Sequence, residues 1–579
     1  MAEMRLITKE EAKLSTLLEK VYPSALIQAT EQAIITKINS IRQVSGVQQR
    51  KALSEKSIMF ICYADTFTRE GQMPLVTLKH KADRYLKPTI DTIHILPFYP
   101  WSSDDGFAVK DLEVVKANLG SWEDISALAE GYQLMFDAVI NHLSAQGTWF
   151  EAWLSGEPAF DNFFISVAPK DVERLAKVVR PRTLPLVHSF QKQAQEVLVW
   201  TTFSQDQIDL NYKNPQVLLA ILDVLLGYAE KGASYIRLDA IAYLWKELDS
   251  TSIHLPQTHA IIQIIRRVLE LAGQPIRIIT ETNVPHADNI SYFGSGDDEA
   301  HLVYNFALPP LLLHTLYSGD TGALEKWAHQ LDIPHPDTHF LNFTASHDGI
   351  GITPLNDLVP KAAIEAICHR VESLGGNISM KSLPGSIEVP YELNINWLDA
   401  MADPNASSPH PTLEQIDRFF LTQGLVLSLK GLPGIYSHSL FGSQGWLKGP
   451  RLTGIQRSVN REKLDADVMD EELANPNSLR SRIYSKYVSL LKIRTQEAAF
   501  APASAQKIIA SPPGCFALMR IAEADDHILC IYNFGSTQVD YLLSQTASNT
   551  VYRDLISGTI YPEQVIQLKP FSMAWLKAQ

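Results

Sequence analysis

Residues 234–245 read SYIRLDAIAYLW. The run has the apolar, aromatic and β-branched character of a buried strand, yet Arg237 and Asp239 sit in its middle. Two charges inside a buried strand are costly unless they are paired, or stand at a strand end that faces a cavity. Arg237 and Asp239 are two positions apart, so on a strand they project from the same face. The stretch therefore predicts a strand that ends in a charged pair at the edge of a cavity.

Similar strand-like runs lie on both sides of it. Before it come SIMFICYA (57–64), TIHILPF (92–98) and QLMFDAVI (133–140). After it come IRIITET (276–282), LVYNFAL (302–308), HFLNFTAS (339–346) and GIYSHSL (434–440). Helical stretches separate them, such as 214–232, with Asn214 as the N-cap and Pro215 in the first helical position. Eight strands alternating with helices predict an α/β fold, a closed (β/α)8 TIM barrel, rather than an open doubly wound sheet.

Two connections are too long for simple barrel loops, which predicts subdomains inserted after strand three (143–205) and strand seven (349–410). The barrel is then assembled from 57–142, 206–348 and 411–500. The first 56 residues repeat apolar positions at helical spacing, Leu14, Leu17, Leu18 and Val21, then Ile34, Ile38 and Ile41. They predict an N-terminal helical extension over 1–56. Beyond residue 500 the texture turns to short β-rich runs, predicting an antiparallel β domain over 501–579.

A formal net charge of −14 argues against a nucleic-acid binder, which usually carries a basic face. The N-terminus is studded with charge (Glu3, Arg5, Lys9, Glu10, Glu11) and lacks the apolar centre of a signal peptide. No apolar run approaches the roughly 18–20 residues needed to span a bilayer. The cysteines Cys62, Cys368, Cys515 and Cys530 are scattered without CxxC spacing, so neither zinc nor a disulfide framework is indicated and a reducing cytoplasmic setting is expected. Gly294-Ser-Gly296 lacks the third glycine and the strand-to-helix context of a nucleotide loop.

In a (β/α)8 barrel the reactive groups stand at the C-terminal strand ends. Asp137 and His142 flank the end of strand three, Arg237 and Asp239 end strand four, Glu281 ends strand five, and His347 and Asp348 follow strand seven. Any one of these acids could merely cap a helix. Three carboxylates converging on one cavity suggest glycosidic chemistry: a nucleophile, an acid/base and a group that holds the sugar.

DAVINH (137–142), YIRLDA (235–240), TETN (280–283) and ASHDG (345–349) resemble, in order and position, the four conserved regions of the α-amylase superfamily of glycoside hydrolases. QIDLNY (207–212) is similar to the short motif that precedes strand four there. A narrower resemblance is to the sucrose phosphorylase subfamily. It rests on DDGF (104–107), RPRTLP (180–185), YNFALPPLLLHTL (304–316), SHDGIG (346–351) and YELN (391–394). The resemblance implies Asp239 as nucleophile, Glu281 as general acid/base and Asp348 as transition-state stabiliser. It implies a glucosyl pocket of Asp104, Phe107, His142, Phe203, Gln207, Arg237, His347 and Arg461, and phosphate binding by Arg182 and Tyr391. In that pattern Arg237 keeps Asp239 ionised, while Glu281 needs a raised pKa to act first as an acid.

The Glu281-Thr282-Asn283 sequence departs from the sucrose phosphorylases. Together with WSSDDGF (101–107), GSGDDEAH (294–301) and the helical extension, it resembles the glucosylglycerate phosphorylase branch. What that branch implies is retaining phosphorolysis of 2-O-α-D-glucosyl-D-glycerate to α-D-glucose 1-phosphate and D-glycerate. Asn283, His286 and Asn394 are then candidates for the glycerate pocket. Sucrose, glucosylglycerol and sucrose 6′-phosphate stay open as substrates, as does hydrolysis or transglycosylation with the same carboxylates; a non-catalytic amylase-like barrel is the remote alternative. Many amylase relatives hold calcium beside the asparagine that corresponds to Asn141, but the phosphorylase subfamily implies no metal, and no organic cofactor is expected. The expected partners are a small sugar substrate and inorganic phosphate, with no nucleic acid, no membrane, and a homodimer left open.

Overall fold

A computed structural model of the chain describes residues 13–45, 49–87, 89–383, 387–406, 410–523, 526–543, 551–562 and 565–579. Eight parallel strands close a barrel: β1 (Met59–Cys62), β2 (Thr92–Ile95), β3 (Gln133–Ala138), β4 (Ala233–Leu238), β5 (Arg277–Thr280), β6 (Leu302–Tyr304), β7 (His339–Asn342) and β8 (Leu432–Tyr436). Each strand pairs with its neighbours in sequence, and β8 closes against β1 with Met59 opposite Gly434. This is the (β/α)8 barrel that the alternation of strands and helices predicts. The strand residues Tyr235, Ile236 and Leu238 are wholly buried, which anchors the charged pair beside them.

Every strand is shorter than its apolar run, because the polar residues at the C-terminal ends leave the ladder to form the rim. The eighth needs correction. It begins at Leu432, and Ser437–Leu440, expected as strand, is a turn of helix. Pro433 hides the true start, since proline cannot donate to a ladder and reads as a strand breaker. The helix Pro215–Glu230 begins as expected: the Asn214 side chain accepts from the Gln216 backbone N–H at 3.0 Å, and Pro215 fills the first position.

The first long connection starts on a two-stranded stem, His142–Ser144 against Gln207–Asp209, and carries a three-stranded sheet of Ser166–Val167, Val187–Lys192 and Gln195–Trp200. The second carries the helix Lys361–Ser373 and a sheet in which Ile387–Asn394 lies between Ile350–Gly351 and Asn377–Leu383. The helix Leu479–Arg494 leads to a six-stranded antiparallel sheet that runs from Ala505–Ile509 to Met573–Ala578.

In the N-terminal segment residues 13–19 and Ser24–Ser45 are helical, with Leu14, Leu18, Ile34 and Ile38 buried. The second of these helices packs on Pro215–Glu230, and Lys37 pairs with Asp223 across the contact. Glu3, Arg5, Lys9, Glu10 and Glu11 lie outside the described residues. Among the described residues no helix is long and apolar enough to cross a membrane. All four cysteines are buried free thiols.

Candidate active site

The barrel register brings the charged groups together. Arg237 on β4 lies directly opposite Asp137 on β3, so their inward-facing side chains meet. Arg237 Nη1 donates to Asp137 Oδ1 and, at 2.8 Å, to Asp239 Oδ1. On its other oxygen Asp137 is bonded to His94 Nε2 at 2.7 Å. The guanidinium lies between the rings of Phe107 and Tyr304, 5.6 and 5.7 Å from their centroids. The charges in SYIRLDA are thus both paired and at a strand end.

Directly after Asp239 the chain turns through Ala240, whose φ of 48° lies in the left-handed region. That turn aims the Ala240 N–H at Glu281 Oε2, 3.0 Å away at the end of β5. Asp239, Glu281 and Asp348 line one cavity at the C-terminal face. Burial raises both Asp239 and Glu281 above the ordinary carboxylate range, and Arg237 pulls against it on each. Arg237 therefore does not hold Asp239 low by itself, as the sequence suggests; the neighbouring carboxylates and the dry setting outweigh it. Such a pair titrates as a unit. The direct bond from Arg237 falls on Asp239 alone, which favours the charge on Asp239 and the proton on Glu281.

Asp348 behaves in the opposite way. Burial works to raise it, but His347, Arg457 and Arg461 keep its carboxyl well below the usual range. Arg457 Nη1 donates to Asp348 Oδ1, and Arg461 Nε donates to the His347 carbonyl at 2.9 Å. Asp104 is held below the usual range in the same way, against its burial, by Arg182 at 3.2 Å and Arg461 at 3.3 Å. The DDGF turn that presents it has three consecutive positive φ values, at Asp104, Asp105 and Gly106. At Gly106 a Cβ would meet the Pro97 carbonyl oxygen at 2.9 Å, so only glycine fits.

Phe107, just beyond this turn, stacks on His347 with centroids 4.8 Å apart and planes 4° from parallel. The Phe107 carbonyl accepts from His142 Nε2 at 2.9 Å and from Gln207 Nε2 at 3.1 Å. Asn141 Nδ2 donates to His142 Nδ1, which fixes the proton on Nε2. Burial lowers His142 to about 4 and His347 to about 3, so both imidazoles are neutral near pH 7. Phe203 leans on His142, and Arg182, Tyr391 and Asn283 line the same cavity.

Two glycerate candidates are elsewhere. Asn394 faces a neighbouring crevice and donates to Ser379 Oγ at 2.8 Å, being tied to the strand opposite. His286 is packed against Phe340 and Trp327 and does not line the cavity. In their place the cavity contains Arg457, Glu392, Tyr243, Phe306 and Trp397, which sequence reasoning missed. Glu392 is the residue next to Tyr391 in YELN, and Arg457 stands one helical turn before Arg461; those spacings are the only sequence signal either gives.

Beside Asn141 the structure has a buried ammonium. Lys246 Nζ donates to Asn141 Oδ1 at 2.6 Å and pairs with Asp209 Oδ1 at 2.7 Å. Among the described residues no group of three or more His, Cys, Asp or Glu side chains is placed to hold a metal ion.

Residues 78–328 match the α-amylase catalytic domain family. The chain is 43% identical to a glucosylglycerate phosphorylase of Spirochaeta thermophila over 91% of each chain. It is 38% identical to a glucosylglycerate phosphorylase of Escherichia coli, over 98% of this chain and all of that one. Among solved structures, sucrose 6F-phosphate phosphorylase from Thermoanaerobacter thermosaccharolyticum has the same fold, with a TM-score of 0.72 and 20% identity over 90% of this chain and 99% of that one.

Proposed function

The chain belongs to the glucosylglycerate phosphorylase family of α-amylase-type barrels, and from that premise we propose that it is a retaining α-glucosyl phosphorylase acting on 2-O-α-D-glucosyl-D-glycerate. One observation carries the mechanism: Asp239, ion-paired with Arg237, shares a cavity with a half-buried Glu281 whose loss of solvent favours its protonated form.

Asp239 attacks the anomeric carbon from the β face, opposite the departing oxygen of glycerate, to which Glu281 gives its proton. The glycosidic bond breaks, a β-glucosyl ester to Asp239 forms, and D-glycerate leaves with that proton. Glu281, now a carboxylate, takes the proton from an incoming phosphate hydroxyl, whose oxygen displaces Asp239. Two inversions restore the α configuration in glucose 1-phosphate. Asp104, His142 and Asp348, which line the cavity, would hold the glucosyl hydroxyls with Phe107 as a platform for the ring, and Arg461, buried beside them, would fix Asp104 and Asp348. Arg182 and Tyr391, delivered by the two insertions, would bind the phosphate. The buried free thiols fit a reducing cytoplasmic setting.

The same carboxylates could open sucrose or glucosylglycerol. The test is a phosphorolysis panel of glucosylglycerate, sucrose, glucosylglycerol and sucrose 6′-phosphate in phosphate buffer. Glucosylglycerate should give the highest kcat/KM, and preference for any of the others would replace it as substrate.

A further inference from the structure

In glucosylglycerate the carboxylate is attached to the same carbon as the scissile oxygen. It therefore lies within a few ångströms of the acid that protonates that oxygen, and a cation that recognises it must line the cavity close to Glu281. The cavity's two lining guanidiniums are Arg182 and Arg457. Arg182 is the cation proposed above for phosphate, which leaves Arg457, lining the same cavity as Glu281 and Tyr391, for the carboxylate. Arg237 is not a lining residue; it is buried against Asp137 and Asp239.

Arg457 is held in a fixed plane. Its Nη1 donates to Asp348 Oδ1 and its Nη2 to Glu392 Oε2 at 3.3 Å, while Glu392 Oε1 accepts from the Gly349 N–H at 3.0 Å. The guanidinium thus bridges the acid at the glucosyl pocket and the insertion wall that bears Tyr391. With five N–H donors it has capacity for a further carboxylate.

We propose that Arg457 reads the carboxylate of the acceptor and so selects a 2-hydroxycarboxylate over neutral polyols and sugars, with Glu392 as the positioning residue that sets the guanidinium. This selection rests on the glucosylglycerate function proposed above.

The test uses the full-length protein with α-D-glucosyl fluoride, a donor that has no carboxylate. The glucosyl-enzyme is then partitioned between D-glycerate, glycerol and phosphate as acceptors. Any common loss through Asp348 cancels in the ratios. Arg457→Gln should lower the glycerate-to-glycerol ratio about tenfold or more, the worth of one charge-assisted contact. Arg457→Lys, which keeps the charge but not the fork, should lower it less, and Glu392→Leu should lower it by a smaller factor than Arg457→Gln. An unchanged ratio in both Arg457 variants would overturn the proposal. So would a loss of transfer to phosphate equal to that for glycerate, which would make Arg457 a general anion site. A wild-type enzyme that transfers to phosphate but not to glycerate would instead defeat the proposed substrate, and the inference with it.

Discussion

The backbone N–H of Ala240 donates to Oε2 of Glu281 at 3.0 Å, so the residue that follows Asp239 in the chain holds the second carboxyl of the pair. The two acids come from adjacent strands, yet one peptide plane fixes their relation. Asp239, tied to Arg237 on one side and to this turn on the other, has little freedom to move within the cavity.

The first expectation concerns pH. In the proposed mechanism the Asp239–Glu281 pair, titrating as a unit, should set both limbs of kcat/KM, the acidic limb on protonation of the nucleophile and the basic limb on loss of the acid's proton. Burial raises both groups, so both limbs should lie above the ordinary carboxylate range. Glu281→Gln should remove the basic limb and slow phosphorolysis about 10²–10⁴-fold. It should slow α-glucosyl fluoride turnover much less, because fluoride leaves without a proton. A basic limb that survives in Glu281→Gln would assign it to another group.

Arg237 is the hinge of the buried charge network. Arg237→Met would leave Asp137 and Asp239 without their shared cation, and should cost about 3–5 kcal/mol of stability as well as glucosyl transfer. Chemical denaturation reads the first effect and turnover the second. Wild-type stability in this variant would show that the carboxylates find other partners.

Arg182 reaches the cavity on the first insertion and is only partly buried. Arg182→Ala should raise the KM for phosphate while sparing slow release of free glucose. Equal losses of phosphorolysis and hydrolysis would mean that it acts through Asp104, to which it is bonded.

Lys246 supplies the positive charge beside Asn141. Prolonged treatment with a chelator should therefore leave activity and thermal midpoint unchanged, whereas Lys246→Met should destabilise the protein by leaving Asp209 unpaired. Loss of activity on chelation, restored by calcium, would contradict this.

The barrel and the strand-end groups were legible because each is encoded within one short run. Arg237 and Asp239 needed only the alternation of a strand, and Asn214-Pro215 only helix-capping chemistry. What joins elements distant in sequence was not. Arg457 meets Asp348 across 109 positions, and nothing local to QRSVN announces it. Asn394 resembled a lining residue from its place beside Tyr391, yet it lies about 10 Å further along the strand, where Ser379 captures its amide. His286 resembled a pocket residue from its place after Asn283, but the aromatic rings it packs on come from elsewhere in the chain.

The fate of the anomeric carbon tests the chemistry most directly. Proton NMR of the enzyme with glucosylglycerate, with and without inorganic phosphate, reads both product and configuration. The expected result is α-D-glucose 1-phosphate and D-glycerate, formed only when phosphate is present and abolished in Asp239→Ala. Free glucose released at the same rate without phosphate, or a β-linked phosphate ester, would contradict a retaining phosphorylase built on Asp239 and Glu281.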